Sequence, residues 1–579
     1  MTATALTGFT AAPDTFTTIG QITPGAPMNW LNPNGLAWLG LDVMPLAWGK
    51  NTADTNAFYP ALATRWSVNP AGTIVKVWLR PNAKWSDGVP ITSQDLVTTA
   101  ALEYATNSVY WNMESVKAIG KYEVVYTMAP GSQYNLFLNG VLGQVILPAH
   151  EFGSLLPADI WTVIDQSLYS GTDKARLALQ KKADATITTL SAKISAFAPK
   201  KDISSGSFVV SGVNPGEVVM SKNPDYWGAS SIHVNQVVIR NYLSNQGIWN
   251  YMIGGQVDQA TAAMPTSIKQ RAMETPGNVF YTVPSYYANS LLFNEHDYPY
   301  DILKVRQAFA YLINRDAVQS IGEPVAGSKV KWIDGLTDQQ TQDALTPAER
   351  AHLNPYTNNP AKAAQLLIQA GFHKVNGDWV MPNGKPWTAS IYVNGSYTDW
   401  VQGASVVASE LTSFGIPTSP TLIQAAQFNS EQESGKFPLS FWTIALGPEL
   451  YYAYNRLYGS VDGYNLVGGK LQHATQNNFV NFPASVGVSG IGTVDAGPDT
   501  LQLIQSTNPY ILHSDAVKLA YLTNEYVPAI TTWDGLQAGF INTNTFTDFP
   551  LQSPSVMLAG VYYPPVGFWM DMGFIRPKN

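Results

Sequence analysis

Apolar and polar residues alternate cleanly at one place early in the chain. Val75, Val77 and Leu79 are apolar, while Lys76, Trp78 and Arg80 separate and follow them. A period of two predicts a strand with one buried face. Residues 82–88 then carry turn chemistry, with Gly88 able to take positive φ. Thr92 and Asp95 form a capping-box pattern, so a helix is predicted to start near Ser93. Further on the period changes. Val305, Ala308, Phe309, Leu312 and Ile313 fall on one helical face, with Arg306, Gln307, Asn314 and Arg315 largely outside the stripe. Asn359, Pro360 and Gly371 read as N-cap, first turn and C′ of another helix, whose apolar side is Ala364, Leu367, Ile368 and Phe372. Val218–Met220 and Val237–Ile239 read as strands, the first closed by an Asn223-Pro224 turn. Strands and helices mix throughout, so the fold class is α/β. Only 463–499, rich in Gly, Asn and Val, has no period to place it.

Composition narrows the class. With 579 residues the chain exceeds one core, and two or three domains are expected. The apolar fraction of 45% and mean hydropathy of -0.06 describe a globular protein. A net charge of -8 argues against nucleic acid as a partner. No apolar run is long enough to span a bilayer. Cysteine is absent, which fits an exported protein. The first residues, MTATALTG, lack a charged n-region and an apolar h-region, which leaves two readings: a cytosolic chain, or an exported one whose signal, with any lipoprotein cysteine, has been removed; the family resemblance described below favours removal. Charged residues make up 13%, against roughly 25% in typical soluble proteins. Adaptation to an acidic exterior and lineage drift both account for that.

Catalytic signatures are missing. No GxSxG, HExxH or GxxxxGK[ST] pattern occurs, and without cysteine there is no thiol nucleophile or thiolate site. The seven histidines are scattered without ligand spacing. Neither a cofactor nor a metal is called for.

Five segments resemble one family in that family's order: 59–95 (YPALATRW…WSDGVPITSQD), 205–228 (SGSF…NPDYWG), 233–260 with MIGGQVDQA, 289–317 (NSLLFNEHDYPYDILKVRQAFAYLINRDA) and NPAKAAQLLIQAGF from Asn359. The family is the family 5 solute-binding proteins of ABC importers, which take oligopeptides, dipeptides, nickel or cello-oligosaccharides. The resemblance implies a two-lobed, periplasmic-binding-protein-like α/β fold with an additional inserted domain. A discontinuous first lobe would use 1–58, 205–286 and 530–579, an inserted domain 59–204, and a second lobe 287–529. It also implies a ligand held between the lobes, an ABC permease as membrane partner, an extracytoplasmic location (periplasmic or as a cell-surface lipoprotein), a monomer, and no catalysis.

The same resemblance directs attention to 439–459, LSFWTIALGPELYYAYNRLYG. Peptide-binding members carry a Trp followed three residues later by an Asp that holds the peptide N-terminus. Here Trp442 is followed by Ala445, and the GPELYY run with Tyr451 and Tyr452 is closer to the sugar-binding branch. The preferred ligand is therefore a neutral oligosaccharide, with Trp and Tyr stacking on pyranose faces. A peptide anchored by Glu449 is the alternative. Asn29, Trp30 and Asn32, Tyr286 and Tyr287 at a lobe crossing, and Trp533 after the return crossing complete the candidate ligand-binding set. An exported glycan hydrolase is the remaining alternative from a different class, since aromatic richness (17 Trp and 29 Tyr) serves it equally.

Overall fold

The computed structural model describes residues 14–50, 57–106, 113–128, 137–169, 171–459, 464–467, 470–473, 480–557 and 565–578. The N-terminal stretch bearing on the export signal lies outside the described residues.

Three sheets carry the fold. The first uses β1 (Thr15–Gly20). A second, local sheet follows, of β2 (Ala63–Val68), β3 (Ile74–Leu79), β4 (Met113–Gly120) and β5 (Glu123–Met128), antiparallel in the order β2-β3-β5-β4. Then β6 (Phe208–Asn214), β7 (Glu217–Lys222) and β8 (Gln236–Asn241) return to β1, giving the order β1-β8-β7-β6 with β1 and β8 parallel. The large sheet takes β9 (Gln259–Thr261), β10 (Asn278–Phe293), β11 (Ala389–Asn394), β12 (Thr418–Ile423), β13 (Leu439–Ile444) and β14 (Ala529–Asn542), in the order β9-β14-β10-β13-β11-β12.

The local readings from sequence hold in the structure. In β3, Val75, Val77 and Leu79 are buried. Gly88 takes φ +86°. Helix α1 (Ser93–Ala105) starts under a complete Thr92/Asp95 capping box. Asn223 closes its turn by accepting from the Asp225 N–H. Helices α2 (Phe137–Leu142) and α3 (Lys174–Ala196) lie between β5 and β6 in the chain, and α4 (Asn245–Ile253) links β8 to β9.

Two helical readings need correction. In α5 (Leu303–Leu312) the predicted apolar stripe is buried, but so is Arg306. Its guanidinium meets Glu295 at 2.9 Å and donates to the carbonyls of Tyr300 and Tyr526. A buried charge tolerates that position because its partners satisfy it. After α6 (Arg315–Gly322) and α7 (Asp338–Ala344) comes α8 (Pro360–Gln369), capped by Asn359 and ended by Gly371 at φ +89° as predicted. Its buried face is Ala363, Leu366 and Leu367, while Ile368 is 61% exposed. The packed stripe is thus rotated by about one residue from the predicted one.

The long strands β10 and β14 pair antiparallel over most of their length. Their register shifts between Pro284 and Ala288. On one side of the shift they adjoin β9, on the other β13. Helices α9 (Thr398–Phe414) and α10 (Leu450–Tyr458) cover the β13 side. Within 463–499, the described part includes an antiparallel hairpin of Ser485–Val488 and Gly492–Asp495. The rest of that unplaced stretch lies partly outside the described residues.

Candidate functional site

The candidate loop leaves β13 through strained backbone. Ala445 sits at φ +55° and Gly447 at φ +125°. A side chain at the first position is strained, so the turn is held by its surroundings. The Gly447 N–H donates to the Tyr286 carbonyl at 3.0 Å, and its own carbonyl accepts from Gln340 Nε2 at 2.9 Å. Tyr286 lies at the register shift of β10 and Gln340 on α7, so the loop is fixed where the two long strands change neighbours.

Beyond it, Glu449 stands at the N-cap of α10. Its Oε1 accepts from Asn139 Nδ2 of α2 at 3.4 Å, a contact spanning 310 residues of chain. Burial holds the Glu449 carboxyl above its ordinary range, opposed by its own N–H and by Asn139. Burial likewise raises the Tyr286 phenol, with Asp343 and Glu449 adding to the shift. Tyr451 and Tyr452 follow on α10, ring centroids 5.4 Å apart, Tyr451 buried and Tyr452 37% exposed. Trp442 is 9% exposed. Arg456 lays its guanidinium 3.9 Å from the Trp442 ring centre, and Phe428 meets the ring edge-on. Tyr287 lies across Gly535, where an added Cβ would come within 1.9 Å of its ring. Six of the predicted positions (Trp442, Ala445, Glu449, Tyr451, Tyr452, Tyr286) thus lie on one loop, its flanking elements and the adjacent strand.

The others have different tasks. Asn29 is fully buried. Its Nδ2 donates to the carbonyls of Ile194 (2.7 Å) and Phe197 (3.0 Å), and its Oδ1 accepts from Leu31 N–H. Asn32 Nδ2 donates to the Ser195 carbonyl at 2.7 Å. Both therefore bind carbonyls of the last turn and C-cap of α3. Trp30 packs against the apolar cluster containing Leu147, Phe152 and Ile194. Trp533 is fully buried, its ring 5.4 Å from Phe441. Its Nε1 donates to the Asn289 side-chain oxygen at 3.0 Å once that amide is oriented by its network. The partners named for these four side chains lie outside residues 445–452, with Asn29 and Trp533 buried and Trp30 and Asn32 half-buried.

Asn139, Gln340 and Arg456 complete the surroundings of the loop without any signal in sequence. Asn139 and Gln340 reach it through chain-distant contacts. Among the described residues, no group of three or more His, Asp or Glu side chains is arranged to hold a metal ion. Also among them, no helix is long and apolar enough to cross a membrane.

Comparison with known proteins adds an independent view. A family profile described as bacterial extracellular solute-binding proteins, family 5 Middle, matches residues 57–465. A putative ABC transporter peptide-binding protein of Brucella ovis is 24% identical over 445 residues, 74% of each chain. Among solved structures, the mannohexaose-bound periplasmic oligopeptide-binding protein of Thermotoga maritima aligns with TM-score 0.74 at 18% identity, covering 98% of this chain and all of the other. AppA of Bacillus subtilis, in complex with a nonapeptide, aligns with TM-score 0.70 at 15% identity, over 98% and 99% of the two chains. At these identities the likeness to the structures is one of fold, two-lobed and α/β.

Proposed function

The chain belongs to the bacterial extracellular solute-binding proteins of family 5, and we propose that the solute it captures for an ABC importer is a neutral oligosaccharide. The observation that carries this reading is the chemistry of the loop after β13. Position 445 is an alanine, and Glu449 is the one acid between residues 445 and 452. Burial disfavours its charge, and an amide already meets it. Such a carboxyl hydrogen-bonds hydroxyls well. A peptide ammonium buried beside it needs an ionised partner, or desolvation costs several kcal/mol. Trp442, Tyr286, Tyr451 and Tyr452 supply rings with polar tips nearby, suited to pyranose faces and edges.

On this reading the protein does no chemistry on its ligand and works outside the cytoplasm as a monomer with a membrane permease. The lobes are 1–58 with 205–286 and 530–579, and 287–529, with 59–204 inserted. The register shift between Pro284 and Ala288 supports a crossing there. The lobes close on the ligand by hinge motion.

A peptide ligand is the second reading. Glu449 favours it, because a carboxyl that reaches from α10 to Asn139 of the inserted stretch is well placed to anchor an ammonium. A thermal-shift screen separates the two: cello-, xylo- and malto-oligosaccharides against a mixed peptide library. Stabilisation by a neutral sugar and none by peptides is the expected result. The reverse overturns the proposal.

A further inference from the structure

The first-lobe sheet holds a cavity of about 300 Å³ at the carboxyl ends of β1 and β8. Strand carboxyl ends facing a crevice are where α/β folds place ligands. Two of its residues, Ile19 and Tyr242, share an apolar cluster with Val325, which follows β10 and α6 in the chain. The cavity therefore lies toward the second half of the molecule.

Its polar floor is closed on itself. Thr18 Oγ1 donates to Gln259 Oε1 at 2.8 Å. Gln259 Nε2 donates to Thr261 Oγ1 at 3.0 Å and to Tyr281 OH at 2.9 Å. Thr261 and Tyr281 share a further bond at 3.0 Å. Both amide donors and the amide acceptor are occupied, so this floor asks little of a ligand. Its walls include Ile19, Leu39, Leu41, Ile239 and Val566. One donor differs. Trp38 Nε1 lies 3.1 Å from where a Cβ on Gly20 would stand, and it has no hydrogen-bond partner among the described residues.

An apolar cavity lined by an indole N–H that no described residue accepts suits an apolar group that carries one acceptor. Size narrows it further. An apolar cavity of about 150 Å³ takes up benzene, so twice that volume accommodates an aromatic ring with a short linker. We propose that this cavity is a subsite for an aromatic acyl group, its ring against the apolar walls and its ester carbonyl accepting from Trp38 Nε1. The inference rests on the oligosaccharide reading and names the ligand class more closely: a sugar esterified with an aromatic acid.

The test uses matched pairs in calorimetry: xylotriose against its benzoyl ester, with methyl benzoate as a free probe of the cavity alone. The benzoylated sugar should bind at least about tenfold tighter than the plain one, the effect of burying one aromatic ring. Methyl benzoate should bind by itself. Trp38→Phe keeps a ring and removes the N–H, and should reduce both gains severalfold while leaving plain xylotriose unchanged. Leu39→Trp, filling the cavity, should abolish them, with a melting curve confirming the fold. Equal affinity for both sugars together with no methyl benzoate binding overturns the subsite and leaves the sugar reading intact. Methyl benzoate binding that is lost in Trp38→Phe, without binding of either sugar, supports the subsite and overturns the sugar reading instead.

Discussion

Residues 29–32 and 445–452 are both short loops rich in Asn, Trp, Tyr or Glu, and both are candidate cleft walls on sequence grounds. The structure separates them. In the first, Asn29 gives both amide hydrogens and Asn32 one to carbonyls at the end of α3, and Trp30 is packed. In the second, the backbone is held in left-handed geometry at Ala445, and one carboxyl bridges to a distant helix. The lesson concerns what a polar side chain already does. A group whose donors and acceptors are fully matched by local backbone is part of the frame. A half-buried carboxyl held by its own N–H and one long contact to Asn139 still has capacity for a ligand.

Mutations can break that comparison. The largest effect is expected in the frame. Trp533→Ala should destabilise by about 3–5 kcal/mol, the range for a large aromatic removed from a packed core. Asn29→Ala should cost about 1–3 kcal/mol by removing the hydrogen bonds that a buried amide makes to the Ile194 and Phe197 carbonyls. Neither should alter ligand affinity once folding is allowed for. Denaturant melts and calorimetry on the same samples check this, and a pure affinity loss in Asn29→Ala would return residues 29–32 to the site.

Trp442 tests the boundary between the two classes. The sequence reading puts it in the cleft, where the fold should not miss it. The structure packs it against Phe428 and Arg456 in a cluster. Trp442→Ala should therefore lower the melting temperature as well as weaken binding, the latter by about 1–3 kcal/mol. Full affinity in the folded mutant would remove the ring from the site. Tyr452, the most exposed aromatic residue of the loop, gives the smaller and cleaner effect: Tyr452→Ala should weaken binding by about 0.5–1.5 kcal/mol with little change in stability.

Acidity sharpens the comparison differently, because buried carboxyls occur in the frame too. Burial pushes Glu103 up to about 8, and Asp334, Asp399 and Glu410 up to about 7. Glu103 accepts from Gln144 Nε2, Asp334 from Thr341 Oγ1, and Glu410 from Asn314 N–H. The folded protein thus takes up protons before the unfolded chain does. Stability should rise as pH falls from about 8 toward about 4, and be lost as pH rises through these values. A melting series across that range checks the sign. A sharp loss of stability on acidification would contradict both this and the acidic-exterior account of the low charge.

Local chemistry explains what was legible in the sequence. The β3 alternation, the Thr92/Asp95 box and the Asn359 to Gly371 helix depend on neighbours a few residues apart. Arg306 was not legible, because Tyr526, whose carbonyl it meets, lies 220 residues away, and Glu295 reaches it only through the fold of the intervening turn. Asn29 and Asn32 resembled ligand contacts for the same reason, since their partners lie about 165 residues on. Asn139 gave no sign at all, as its link to Glu449 exists only across the fold. Trp533 sits in a polar-looking TTWDG run, yet β14 is buried on both faces there.

The central claim is that the loop of Ala445 and Glu449 receives a neutral ligand. Affinities for neutral oligosaccharides and for a mixed zwitterionic peptide library, each measured at low and high salt, test it most directly. Tight sugar binding that salt leaves unchanged, with weak peptide binding, is the predicted result. Tight peptide binding that weakens with salt and is lost in Glu449→Gln would contradict it, and would make Glu449 the anchor of an ammonium group.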